Sequence, residues 1–167
     1  LPSKIDFDHK IELNNVSFTY DGVQEKAVNK ISLNISKGES IAFVGATGAG
    51  KTTLVDVILG LLTPEEGKVL VDDINIQEKL RNWKACIGYI PQLIHLSDDT
   101  LRRNIAFGIH DEHIDEKIVL NAVEAAQLQS FVENLPNGLD TIIGEQGNRL
   151  SGGQRQRIAI ARALYHD

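Results

Sequence analysis

No methionine occurs anywhere in the 167 residues, so residue 1 is not a retained translational start and the sequence reads as cut from something longer. A single cysteine excludes an internal disulfide and fits a reducing compartment. Cys86 lies in the apolar run from Ala85 to Ile90, where a buried, inert thiol is expected rather than a nucleophile or metal ligand. No apolar run approaches the ~20 residues of a membrane span, and no secretory leader is visible, so a soluble chain is expected. A basic excess is lacking too. With 17 Lys and Arg against 23 Asp and Glu, the net charge of -6 argues against a nucleic-acid surface outside a local stretch such as 149–162. The five histidines show no metal-ligand spacing and read as solvated side chains. The one tryptophan, Trp83, reads as a packing residue.

What is present is an ordinary globular composition, 42% hydrophobic and 24% charged, in a chain long enough to bury a sizeable core. Residues 1–9 are polar and non-periodic and read as the tail of a linker. Ile11 and Leu13, then Val16, Phe18 and Tyr20, alternate with polar residues but change phase across Asn14-Asn15, which predicts a bulged antiparallel strand. Asp21-Gly22 is turn chemistry, Ile31, Leu33 and Ile35 alternate again, and Ser40 to Val44 predicts a further strand. A helix is expected from about Lys51 to Leu61 or Leu62, ended by Thr63-Pro64-Glu65-Glu66-Gly67. Val69 and Val71, then Ile74 and Ile76, flank Asp72-Asp73 as a hairpin, and Tyr89-Ile90 predicts a buried strand. From 93 to 149 the pattern is helical: Leu101 and Ile105 mark one helix, Ile118, Ala122, Ala125 and Ala126 a second, and Leu128, Phe131, Val132 and Leu135 a third. Pro136-Asn137-Gly138 stops the last of these.

The densest signal is Gly45-Ala46-Thr47-Gly48-Ala49-Gly50-Lys51-Thr52, a G-x-x-x-x-G-K-T pattern between an apolar strand and a helix. A triphosphate must be wrapped by backbone N–H groups, and glycines at 45, 48 and 50 let the backbone approach. The helix start aims N–H groups and a positive dipole end at the anion. Lys51 is expected to reach the β and γ oxygens, Thr52 to offer a hydroxyl to Mg²⁺, and Thr53 to support the α-phosphate. By chance this pattern arises in about one chain of this length in a hundred, so a glycine-rich turn without a ligand carries little weight.

A second turn, Leu150-Ser151-Gly152-Gly153-Gln154, opens an amphipathic helix that continues through Arg155 to Leu164. Alone, it is more simply a capping turn than a ligand site. Together with the phosphate loop, however, it gives the chain a clear resemblance, from about residue 10 to residue 167, to the nucleotide-binding domain of ATP-binding cassette (ABC) proteins. That resemblance implies an α/β P-loop NTPase fold with an antiparallel β subdomain and an inserted helical subdomain. The divisions expected are an ATP-binding core with the β subdomain at 10–92, the helical subdomain at 93–149, and the signature turn and helix at 150–167.

The resemblance also implies residue roles. Tyr20 takes the place of the aromatic that stacks on adenine. Gln92, after Ile90-Pro91, takes the glutamine-loop position that touches Mg²⁺ and the attacking water, so that Gln92 and Lys51 count as catalytic and Thr52 and Gln92 as metal ligands. Ser151, Gly152, Gly153 and Gln154 resemble the surface that closes on the γ-phosphate of ATP held by a second copy. ATP and Mg²⁺ are the implied cofactors, and a second nucleotide-binding domain and transmembrane domains are the implied partners, with no nucleic acid. Gly144-Glu145-Gln146-Gly147 resembles the segment by which exporter-type domains contact membrane loops, although Gln146 stands where arginine is common. Leu96 to Gly108 resembles bacterial exporters and leans toward lipid or lipid-linked glycan cargo. The implied function is the ATPase of a membrane exporter at the cytoplasmic face of the membrane. The alternative is a soluble ABC ATPase of DNA repair or translation.

Val69 to Asp73 imitates the family's apolar strand that ends in a Mg²⁺ carboxylate, but the alternation resumes at Ile74 and a hairpin turn is expected instead. In the family that strand, the catalytic glutamate and the histidine switch follow the signature helix. The sequence stops at Asp167, before their expected place. The 167 residues alone are therefore expected to have an incomplete core with unpaired strand edges, and to show no appreciable turnover.

Overall fold

A computed structural model describes residues 5–144 and 150–166. The chain forms two compact units, Leu1–Ile87 and Gly88–Asp167. Gly144 is described, but Glu145, Gln146 and Gly147, expected at a membrane-loop contact, lie outside the described residues, as does Arg149.

The first unit is built on an antiparallel sheet in the order β2-β1-β3-β4, from β1 (Lys10–Phe18), β2 (Val28–Ser36), β3 (Glu66–Val71) and β4 (Ile74–Asn75). The phase change in β1 is a bulge. The register with β2 shifts between Leu13 and Val16, the register with β3 shifts between Asn14 and Ser17, and Asn15 takes φ 49°. Both Leu13 and Val16 consequently point into the core and are fully buried. Gly67 makes the bulge possible from the other side, since a Cβ there would stand 2.2 Å from the Asn14 carbonyl oxygen.

Helix α1 (Lys51–Ile58) packs Thr53 and Val57, one turn apart, toward the core of Leu13, Val16, Val69, Val71, Ile76 and Trp83. It ends three residues before the expected Leu61. Leu59 caps it, Gly60 turns to φ 69°, and the Trp83 indole N–H donates to the Ile58 carbonyl at 2.9 Å, which satisfies a helix-end acceptor. Trp83 sits on the short helix α2 (Leu80–Lys84), and α2 had no separate sequence signal. Ile5 and Phe7, from the stretch read as a linker, also pack on this core, and the Ile5 N–H donates to Cys86 Sγ at 3.2 Å.

Asp72-Asp73 is the hairpin turn expected, with both residues at positive φ. The Asp72 carboxylate accepts from the backbone N–H groups of Asp8, His9 and Lys10, tying the chain's start to the β3–β4 turn. It is therefore engaged in holding backbone rather than waiting for a metal.

Two expected strands are corrected. Ser40 to Val44 and Tyr89-Ile90 are both without ladder partners among the described residues, and Val44 is 93% exposed. Their apolar composition is strand-like, but a strand exists only when a neighbour takes its N–H and C=O groups.

The second unit is a helical cluster, with β5 (Asp99–Thr100) paired to β6 (Ile142–Ile143) at one side. Helices α3 (Leu101–Ile105), α4 (Glu116–Ala125), α5 (Gln129–Glu133) and α6 (Gly152–Tyr165) enclose Leu101, Ile105, Val119, Leu128 and Ile158, all fully buried. The buried face of α4 is set by Val119, Ala122 and Val123, so Ile118, assigned to that face by spacing, is 41% exposed. Asp115 caps α4 through the Lys117 and Ile118 N–H groups. Gly144 is required by close approach, since a Cβ there would lie 2.7 Å from Asp98 Cα.

Candidate functional site

In the first unit, the turn after β1 and the start of α1 form the walls of one cleft of about 410 Å³. Tyr20, Ala27 and the stretch 48–53 face it. The loop bends where it must. Gly48 and Gly50 take φ 84° and 80°, and a Cβ on Gly50 would lie 2.0 Å from the Ala27 carbonyl oxygen. Gly50 is also the N-cap of α1, so no side chain caps the helix, and its first turn carries no acidic residue. Those N–H groups and the dipole end are thus presented to an anion without a competing carboxylate.

Lys51 Nζ donates to the carbonyls of Gly45 at 2.9 Å and Ala46 at 2.7 Å, which places its ammonium along the loop. An ammonium has three donors, so one more is available to a phosphate oxygen. Thr52 is exposed at the first turn, whereas Thr53 is only 6% exposed. Thr53 Oγ1 lies 3.0 Å from the Tyr20 hydroxyl. The Tyr20 ring stands edge-on to Phe18 at 5.0 Å between centroids and keeps 44% of its surface exposed. An aromatic face and a backbone anion cradle therefore share a single cleft.

Sequence reasoning missed Glu25, Lys26 and Ala27, which complete one wall. Lys26 pairs with Glu66 at 2.8 Å, and that hydrogen bond holds the Glu66 carboxyl below its usual range. The only signal for this wall was the Asp21-Gly22 turn, which folds the chain after Tyr20 back over the loop.

Gln92, Ser151, Gly152, Gly153 and Gln154 all lie in the second unit. Gln92 is exposed in an irregular segment. Ser151 and Gln154 form a reciprocal capping box: Ser151 Oγ accepts from the Gln154 N–H at 3.2 Å, and Gln154 Oε1 accepts from the Ser151 N–H at 2.8 Å. Gly152 and Gly153 occupy the first turn of α6, and a Cβ on either would meet nothing within 4 Å. Nothing in the packing of the described residues requires two glycines there.

The hub of the second unit also escaped the sequence. Asn104, fully buried, accepts from the Ser97 N–H and donates to the Ser97, Asp99 and Thr100 carbonyls. Arg162 on α6 donates to the Asn104 and His95 carbonyls and lies 4.8 Å from the Phe107 ring centre. Burial lowers the Arg162 pKa from its ordinary value. These bonds fasten residues 95–100 to the signature helix.

Among the described residues, no cluster of three or more His, Cys, Asp or Glu side chains could hold a metal, and no helix is long and apolar enough to cross a membrane.

Residues 28–167 match the family described as ABC transporter. The chain is 44% identical over 155 residues to the ATP-dependent lipid A-core flippase of Haemophilus influenzae strain 86-028NP, a match that covers 92% of the chain and 26% of the flippase. The flippase of the same description from Coxiella burnetii is 45% identical over 156 residues, covering 93% and 26% respectively. Among solved structures, a bacterial Atm1-family ABC exporter with ATP bound aligns over 99% of this chain and 29% of its own, with TM-score 0.87 and 34% identity. The chain thus spans about a quarter of the length of the curated relatives it matches.

Proposed function

Since the chain belongs to the ABC transporter family, we propose that its first-unit cleft binds ATP with Mg²⁺ and serves the ATPase of a membrane exporter. The observation that carries this reading is the shared cleft: Tyr20 and the 48–53 stretch line the same 410 Å³. In this reading the adenine stacks on Tyr20, a contact typically worth ~1–3 kcal/mol. The triphosphate lies along Gly45, Ala46, Thr47, Gly48, Ala49 and Gly50 against the first turn of α1, and Lys51 bonds the terminal phosphates.

Mg²⁺ fits the residues as a nucleotide-borne ion. Thr52, exposed at the first turn of α1, would offer the ion one hard oxygen ligand, and no carboxylate cluster among the described residues would hold it without the nucleotide. The role the resemblance gives Gln92, toward the metal and the attacking water, belongs to the same proposal. When bound, the ion would neutralise charge that develops on the phosphates. The chain's own contribution is positioning: the loop orients the triphosphate, Lys51 stabilises charge on it, and Tyr20 fixes the base.

The open glycine pair at 152 and 153 supports the partner half of the reading. Glycine weakens a helix relative to alanine, by roughly 0.5–1 kcal/mol at interior positions, and no contact among the described residues calls for the pair. Close approach by the phosphates of a nucleotide on a second copy would call for them, and this makes each site the joint property of two domains. The relatives are described as lipid A-core flippases, which favours transmembrane domains as partners, a place at the cytoplasmic face of the membrane, and a lipid-linked cargo. In the complete protein, Lys51→Ala is expected to abolish ATP-dependent turnover, measured as phosphate release. Undiminished release would overturn the assignment.

A further inference from the structure

The Tyr20 to Thr53 hydrogen bond joins the two halves of the cleft. Tyr20 closes the β1 side, where its ring stands edge-on to Phe18. Thr53 belongs to α1 and is 6% exposed, so its side chain is held by the core and cannot follow the ring. Their hydroxyls are 3.0 Å apart. A ring about half exposed loses rotational freedom when it stacks on a base, and a ring already held by its hydroxyl has less to lose.

We infer that Thr53 is a positioning residue for Tyr20: through the hydroxyl pair it pre-orients the base-stacking ring against the helix that carries the phosphate cradle. A hydroxyl has one donor and two acceptor sites. Either hydroxyl can donate in this pair; with Tyr20 as donor, Thr53 keeps its own proton for another acceptor, a phosphate oxygen included. The two ends of a nucleotide are read by groups that share one bond, and base and phosphates are recognised as a unit. This inference rests on the nucleotide reading of the cleft given above.

The test is a double-mutant cycle in the complete protein, with Mg²⁺-ATP and Mg²⁺-tripolyphosphate as probes in calorimetric titrations. Tripolyphosphate has the phosphates without the base. In the wild-type background, Tyr20→Phe keeps the ring and is expected to lower the ratio of ATP to tripolyphosphate affinity by about three- to tenfold, the size of the ordering cost of one side chain on binding. In the Thr53→Val background, which keeps the shape of the side chain, the same Tyr20→Phe change is expected to lower the ratio no further. In the Thr53→Ser background the loss is expected to return.

An equal loss in the wild-type and Val backgrounds, or no loss in the wild type, overturns the inference while leaving the nucleotide reading intact. Should Thr53→Val fail to fold, judged by far-UV circular dichroism, the wild-type and Ser backgrounds decide the matter: a Tyr20→Phe loss in both supports the inference, and absence of the loss in either overturns it. A complete wild-type protein that binds neither probe overturns the reading and the inference together.

Discussion

The residues that make the phosphate loop were the most legible, because their chemistry is backbone geometry and glycine announces it directly. Gly48 and Gly50 show how differently two such glycines are constrained. Both take positive φ, but only Gly50 would place a Cβ against backbone, 2.0 Å from the Ala27 oxygen. Gly50→Ala is therefore expected to destabilise the chain by more than the ~1–3 kcal/mol of a strained dihedral, and Gly48→Ala by no more than that, compared by chemical denaturation. The Asp72 side chain was legible as a turn residue, but its three backbone partners were not, because they come from residues more than sixty positions away. Those N–H groups hold its carboxyl below the ordinary 3.8. Because the folded value is the lower one, this contribution is fully present above the ordinary value and lost as pH falls through the folded value. Asp72→Asn is expected to flatten the acid-side fall of the melting temperature below about pH 4 while changing its value at pH 7 by a pH-independent amount. An unchanged acid limb would contradict the role given to Asp72.

At the scale of elements, local pattern succeeded where a neighbour in sequence supplies the partner. The β1 bulge, the Asp72-Asp73 hairpin and the existence of α3, α4 and α6 all follow from local spacing. Pattern failed where distant groups decide. The Ser40 to Val44 segment has strand composition but no ladder among the described residues, and α1 stops early because Gly60 and Trp83 close its end. The phase of α4 slipped by one residue since Ile118 and Val119 are equally apolar and only packing against the rest of the unit distinguishes them. Helix α6 offers the sharpest separation of fold from function. Gly153→Ala adds a methyl group that meets nothing within 4 Å, so it is expected to stabilise the chain by roughly 0.5–1 kcal/mol while abolishing ATP-dependent pairing of the complete protein's domains, measured by light scattering. Loss of stability, or pairing that persists, would remove the reason for proposing a nucleotide-facing role.

For the molecule as a whole, family and fold class were legible because the phosphate loop, the glutamine position and the signature turn occur in one order at family spacing, and the match over residues 28–167 bears this out. The cleft was legible only in part. Its phosphate half is a contiguous motif, but its other wall comes from residues 20–27, and the bond that links the two halves spans 33 positions. The central claim is that this cleft binds the triphosphate of ATP through Lys51 and the loop. Calorimetric titration of the wild-type chain and of Lys51→Ala with Mg²⁺-ATP tests it most directly. The account predicts saturable one-site binding by the wild type and at least a tenfold loss in the variant, about 1.4 kcal/mol; equal affinity in the two, with both chains folded, would contradict it.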